Sequence, residues 1–305
     1  MAVYSPAAAG ADARRVVLST TGRSRERTPA SVVFVALLWL SLLVGFATLV
    51  ALLLDTFVDG FARLDGRLFT EFPSSRAPEA GARPAILGSL WVVGTTAVLA
   101  IPLGVAGAIY LEEFSDRRRW LNRVVEINIS NLSAVPAIIY GMLALGVLAL
   151  LGVGQKNIVI GGALALAMLI LPVILISTRE ALRAVPRELR DGSLAIGATP
   201  LQTTWRITLP AALPGVATGT ILGLSRALGE AAPLLLLGGL VFLSFDPNGL
   251  LSQFTTMPIQ IFDWTSRPQA EFHELAAAAS ILLMGIVVLM NGAAIYIRNR
   301  YQKRW

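Results

Sequence analysis

A run of 25 residues from Ala30 to Leu54 contains no charged side chain, and it decides which solvent the chain must fold in. The apolar core of a secretory signal is only about 7–15 residues long. About 20 apolar residues are enough to cross the hydrocarbon of a bilayer as a helix, so this run is expected to be a retained transmembrane span. Five more follow at about Ala85–Leu111, Val124–Gly152, Ile158–Ser177, Leu213–Leu243 and Leu275–Ile297. Lipid offers the backbone no hydrogen bonds, so each span must satisfy its own polar groups as a helix. Pro102, Pro136 and Pro172 fall inside spans, where neighbouring helices can satisfy the groups a proline frees. The expected fold is an all-α integral membrane protein with six transmembrane helices. Residues 29–305 would form one transmembrane domain, preceded by a mobile tail, 1–28, that lacks periodic apolar residues.

Composition agrees. Charged residues make up 14% of the chain and the mean hydropathy is +0.69, whereas soluble domains carry about 25% charged residues. With no Cys there is no disulfide framework, thiol nucleophile or Cys-based metal site, and the single His, His273, excludes a multi-histidine centre.

The net charge of +6 is not a nucleic-acid signal once its distribution is read. Between spans, 18 Lys and Arg fall on one side and six on the other. The positive-inside rule then places both termini and the 178–212 loop in the cytoplasm. The remaining basic residue, Arg226, lies inside a span. On the outer side are the loops 55–83, with five acids, and 244–274. In the latter, Phe254, Ile261, Phe262 and Trp264 suit the headgroup level as a short interfacial helix. Asn128 and Asn131 are expected to bond across helices, and Glu126 to be structural.

The 178–212 loop is structured. Leu189, Ser193 and Ile196 recur at i, i+4 and i+7, an amphipathic helix that Gly197 can stop in the left-handed conformation. Thr199-Pro200-Leu201-Gln202 reads as a capping box with proline at the first helical position, opening a second short helix to about Arg206. Two short helices meeting at a glycine make a knob that a partner's groove can accept, or a connector lying on headgroups.

The next span carries Gly215, Gly219, Gly223, Ala227 and Ala231 at steps of four, a face that admits a close neighbour. It also holds Arg226 and Glu230 at i, i+4. Neither is expected to face lipid, since an arginine at the bilayer centre costs roughly 2.5–3.5 kcal/mol even on the lenient insertion scale. Two roles are open to them. The pair can be interhelical glue, or Arg226 can face an oxyanion through its planar fork while Glu230 holds or releases it.

Gly197, Ile207, Leu209 and Pro210 stand at the spacing G-x9-I-x-L-P, which resembles the cytoplasmic "EAA" loop of ABC-importer permeases. Asp191-Gly192-Ser193 stands where that family has Glu-Ala-Ala, so the acid is retained and the alanines are not. The string SRALGEAAPLLLLGG, with the preceding LPAALPGVATGTILG, resembles the PstA-type permease subunit of phosphate ABC importers. The resemblance continues through Phe254-Thr255 and Pro258–Phe262 to His273 and the basic C-terminus, covering about Leu87 onward. It implies the type I ABC-importer permease fold, with Asp191, Gly192, Gly197, Ile207, Leu209 and Pro210 in the ATPase coupling loop. It also implies Arg226 and Glu230 on the phosphate path, with Gly215, Gly219 and Gly223 packing helices. The partners implied are a second, PstC-type permease, two PstB-type ATPase subunits and an extracytoplasmic PstS-type phosphate-binding protein.

No G-x-x-x-x-G-K-[ST] occurs, and the only lysines, Lys156 and Lys303, fit no such pattern. The chain is therefore expected to hold no ATP and no other cofactor, and to be no enzyme itself. His273-Glu274 lacks the second His of a zinc protease motif, and Gly223–Ala227 lacks the final Gly of a nucleophile elbow. The expectation is a permease for inorganic phosphate. A permease for molybdate or sulfate is the near alternative; a passive channel or an intramembrane enzyme is the distant one.

Overall fold

The computed structural model describes residues 29–116, 120–239 and 242–301. The expected tail, 1–28, lies outside the described residues, as does the side chain of Glu126. Contacts divide the chain into one unit through Leu52 and a second from Leu53 onward. The described part of the first is the start of α1 (Pro29–Phe61), and Pro29–Leu52 is exposed throughout. A helix apolar on every side has no preferred face to bury against its own chain.

In the second unit, α2 (Gly66–Thr70) is capped by Asp65, whose carboxylate accepts from the Arg67 and Leu68 amides. A 3₁₀ turn, Ala77–Glu79, leads into α3 (Arg83–Ile109), which runs on as a π-helical turn, Tyr110–Phe114. Next come α4 (Trp120–Leu132), α5 (Ala137–Leu150) and α6 (Val159–Arg183). The knob follows as α7 (Arg187–Ala195) and α8 (Pro200–Thr203). A second π turn, Thr204–Thr208, joins α8 to α9 (Leu209–Leu228). The chain closes with α10 (Ala232–Leu236), α11 (Met257–Thr265) and α12 (Ala270–Tyr301).

Among the described residues five helical runs are long and apolar enough to cross a membrane: Pro29–Phe61, Arg83–Phe114, Val159–Arg183, Pro200–Leu228 and Ala270–Arg300. The expected span 124–152 is broken, so the count of six is corrected to five continuous spans and one short apolar helix. Proline is the cause. Pro136 has no N–H and pushes Val135 out of helical backbone geometry, so α4 ends at Leu132 and α5 begins at Ala137. Fourteen residues rise only about 21 Å, short of the roughly 30 Å hydrocarbon.

The expected span 213–243 is also broken. Helix α9 stops at Leu228, and residues 229–231 form a break before α10. At the other end α9 has no gap before it: the π turn carries the backbone from α8 through Pro210, with the Leu209 amide donating to the Thr204 carbonyl. This wider turn accommodates a proline whose nitrogen cannot donate. Pro102 and Pro172 stay inside α3 and α6.

The core gathers on α6, two-thirds of whose apolar window is buried. Val159, Leu166, Ile170 and Ile174 pack there with Val92 and Ala100 of α3, Tyr140 of α5 and Ala227 of α9. Gly104 of α3 and Gly223 of α9 both lie against Ile174, so α6 is held between α3 and α9. A second cluster forms a cap where Leu68, Ala80, Ala82, Met257, Trp264, Phe272 and Leu275 meet. Phe254 and Trp264 are fully buried, which corrects the expectation of headgroup anchors; of that set Phe262 stays exposed. Asn128 donates to the Val124 carbonyl of its own helix rather than across helices.

Candidate functional site

The geometry at Arg226 begins with glycine. A Cβ on Gly215 would lie 2.7 Å from Ala181 Cβ, one on Gly219 2.1 Å from Ser177 Oγ, and one on Gly223 3.3 Å from Ile174 Cγ1. The stripe therefore lies directly on α6 in antiparallel register, and each step up α9 is a step back along α6. Continuing that register puts Arg226 near residues 167–170, close to the midpoint of α6. Ala227 confirms the level by packing in the same cluster as Leu166, Ala167 and Ile170.

At this height Ser225, Ala227 and Leu228 are buried, while Arg226 is exposed and Glu230 half-buried. The i, i+4 spacing does not place the two on one helix, because α9 ends between them. Past Leu228 the amides of Gly229 and Glu230 turn back on Arg226 and Ala227, and Glu230 and Ala231 fall outside any helix. No ion pair joins Arg226 to Glu230 among the described residues. Ala231 consequently drops out of the small-residue stripe.

The break is seated on α5. A Cβ on Gly141 would lie 2.6 Å from the Pro233 carbonyl oxygen, so α10 rests on bare backbone there. Beside it Tyr140 donates its hydroxyl to the Leu132 carbonyl at 2.6 Å, bridging the break between α4 and α5. A guanidinium thus stands at mid-height beside the break between α9 and α10. A fork of five donors at such a level can bind an anion without dehydrating it against lipid.

The knob lies at the other end of α6. Gly197 has φ +90°, the left-handed stop between α7 and α8. Thr199 Oγ1 accepts from the Gln202 amide at 3.2 Å while Gln202 Oε1 accepts from the Thr199 amide at 2.9 Å, closing the capping box. Leu189 packs on Leu182, Val185 and Ala212, and Ser193 Oγ meets Thr203 Oγ1 at 2.9 Å. Ile196 does not share that buried face: it follows the end of α7 and is 87% exposed. Leu194, Leu201 and Trp205 are exposed as well, so the knob offers apolar side chains outward. Asp191, Gly192, Gly197, Ile207 and Pro210 are exposed, and Leu209 is half-buried.

Sequence reasoning missed the charges beneath the knob. Glu112 accepts from Arg183 Nε at 2.9 Å and Arg179 Nε at 3.4 Å. Glu113 accepts from Arg190 Nη2 at 2.8 Å and Nε at 3.4 Å. Arg179 and Arg183 stand at i, i+4 on α6, a spacing that puts two arginines on one face and was visible in the sequence. Their acidic partners are some 70 residues away in the chain and were not. Among the described residues no group of His, Asp or Glu is arranged to hold a metal ion.

Known proteins place this architecture. The alginate ABC transporter of bacteria aligns with 91% of this chain and 99% of its own at TM-score 0.61 and 15% identity. The MetNI methionine ABC transporter in inward-facing form aligns with 72% and 95% at TM-score 0.58 and 20% identity. At those identities the likeness is one of fold, the permease fold of type I ABC importers. Among curated relatives, the "Probable ABC transporter permease protein YqgI" of Bacillus subtilis (strain 168) is 30% identical over 85% of this chain and 91% of its own length. The "Phosphate transport system permease protein PstA 1" of Mycobacterium tuberculosis is 34% identical over 72% and 70%, and the PstA of Yersinia pestis 31% identical over 82% and 84%. Residues 100–303 match the description "Binding-protein-dependent transport system inner membrane component", and the chain belongs to that family of permeases.

Proposed function

We propose that this chain is the permease subunit of an ATP-driven importer of inorganic phosphate and forms half of its translocation path. The observation that carries the reading is Arg226, an exposed guanidinium level with the middle of α6, where contact with acyl tails is costly. A second permease covering that face turns the liability into an aqueous anion route, with Arg226 toward the oxyanion and Glu230 at the adjoining break. The names of the relatives at 30–34% identity support phosphate as cargo.

The assembly follows from what the chain lacks and what it exposes. Two PstB-type ATPase subunits hold ATP, since no nucleotide-binding loop occurs here; this chain binds no cofactor and catalyses no reaction. One ATPase docks on the knob, where Ile196, Leu201 and Trp205 are exposed and Asp191, Gly192, Gly197, Ile207, Leu209 and Pro210 shape the surface. A PstC-type permease completes the path and a PstS-type binding protein delivers phosphate to the opposite side. The knob and both termini face the cytoplasm, by the distribution of Lys and Arg.

The test is Arg226→Gln in the assembled transporter, read as uptake of labelled phosphate with molybdate and sulfate as competitors. Uptake is expected to fall while membrane insertion and ATPase capture persist. Normal uptake removes Arg226 from the path; equal competition by the other oxyanions removes phosphate as the particular cargo.

A further inference from the structure

We propose that Arg190 and the paired acids Glu112 and Glu113 form a clamp that carries movement of the knob into α3 and α6. This rests on the reading of the knob as the ATPase docking element and names the residues through which it acts. Helix α7 is tethered to α6 by Ala184–Pro186 and to α8 by Ile196–Thr199. A nine-residue helix on two such links could swing without moving the bundle. Leu189 and Ser193 hold it by one apolar and one hydroxyl contact. Arg190 supplies the ion pair that α7 makes among the described residues.

That side chain joins three elements. Its Nη2 and Nε reach Glu113 of the π turn after α3. Its Nη1 donates to the Val185 carbonyl at 2.8 Å, and Nη2 to the Leu182 carbonyl at 2.7 Å. The Leu182 carbonyl lies in the last turn of α6, where a helix leaves acceptors without intrahelical donors, and the Val185 carbonyl in the link just past it. Next in the chain, Glu112 holds Arg179 and Arg183 of α6. Two consecutive acids therefore grip two different helices from one turn. The π geometry of that turn departs from the α spacing, and such turns recur at functional sites.

The charges are screened little. Side-chain exposure is 6% for Glu112, 11% for Glu113 and 19% for Arg190. Pairs in such places add little net stability but fix geometry, and breaking one leaves an uncompensated charge. A lysine at 190 keeps the charge yet has no planar fork to span Glu113 and two carbonyls. The expected outcome of a broken clamp is an ATPase that still docks and hydrolyses while the bundle no longer follows.

The experiment uses the whole complex in vesicles, permease pair, ATPase and binding protein together. With Glu113→Gln, ATPase capture and hydrolysis are expected to persist while ATP consumed per phosphate imported rises roughly fivefold or more, the low end of ordinary intersite coupling. Arg190→Lys is expected to behave likewise. An unchanged ratio in an intact complex overturns the clamp.

The absence of cysteine in the chain permits a second arm. Glu113→Cys combined with Arg190→Cys, bridged by a short bismaleimide after assembly, is expected to regain coupling that the unbridged protein lacks. A bridged complex that hydrolyses ATP without import overturns the clamp, as does failure of every variant to assemble. If the unsubstituted chain captures no ATPase or imports no phosphate, the functional reading falls first; capture and import with an unmoved ratio sink the clamp alone.

Discussion

Gly219→Ala puts the packing of α9 on α6 to a quantitative test. The added methyl would sit 2.1 Å from Ser177 Oγ and 2.4 Å from Ser177 Cβ, whereas carbon atoms rest at about 3.5–4.0 Å. Rotating Ser177 about χ1 moves its Oγ, which now donates to the Ile174 carbonyl, but leaves Cβ in place. The helices must therefore part by about 1 Å, and overpacking of this kind typically costs ~1–3 kcal/mol. At Gly215 the nearest atom is Ala181 Cβ at 2.7 Å, and at Gly223 it is Ile174 Cγ1 at 3.3 Å. The cost of alanine should follow the order Gly219, Gly215, Gly223. Ser177→Gly removes both clashing atoms. A glycine inside a helix has its own cost of about 1 kcal/mol against Ala, so the comparison needs a double-mutant cycle. The assay is the thermal unfolding midpoint of the purified, detergent-solubilised protein. Gly219→Ala should lower it by several degrees, and the added effect should vanish on a Ser177→Gly background. Equal cost at Gly219 and Gly223, or no coupling between 219 and 177, would refute the close register of α6 and α9 and with it the height assigned to Arg226.

Gly197→Val forces a β-branched residue into φ +90°, a cost of roughly 1–2 kcal/mol; capture of the ATPase should weaken while insertion is unchanged. Thr199→Ala removes the acceptor for the Gln202 amide and should cost about 1 kcal/mol, read as faster hydrogen exchange across α8. Trp264→Ala should destabilise by ~3–5 kcal/mol because the ring is fully buried, whereas the exposed Phe262→Ala should leave the unfolding midpoint nearly unmoved.

Local signals in the sequence located most of the parts. Apolar runs marked where the bundle would be, and the capping box at Thr199 and the stop at Gly197 appear atom for atom. Both depend on residues within four positions of each other. The broken spans were legible too, though weaker: Pro136 lies before α5, and Gly229 with Pro233 carries the stop-and-restart signature of α9 and α10. High hydropathy on both sides masks such signals, because a window average does not register a missing N–H. What could not be read were the partners chosen by tertiary packing. Nothing near Glu112 or Glu113 points to Arg183 or Arg190, and Phe254 and Trp264 look like interfacial aromatics until Phe254 packs on Gly162 of α6 and Trp264 joins the cluster with α12. Arg226 was recognisable as out of place in a span; its exposure between the buried Ser225 and Ala227 was not.

A copy of this chain that reaches the bilayer before its neighbour must hold Arg226 against hydrocarbon. On the insertion scale that costs roughly 2.5–3.5 kcal/mol, about two orders of magnitude in the balance between the inserted and displaced helix. The proposed second permease, by covering that face, would remove this cost. On that reading the inserted state of this chain is expected to be more stable beside its mate than alone.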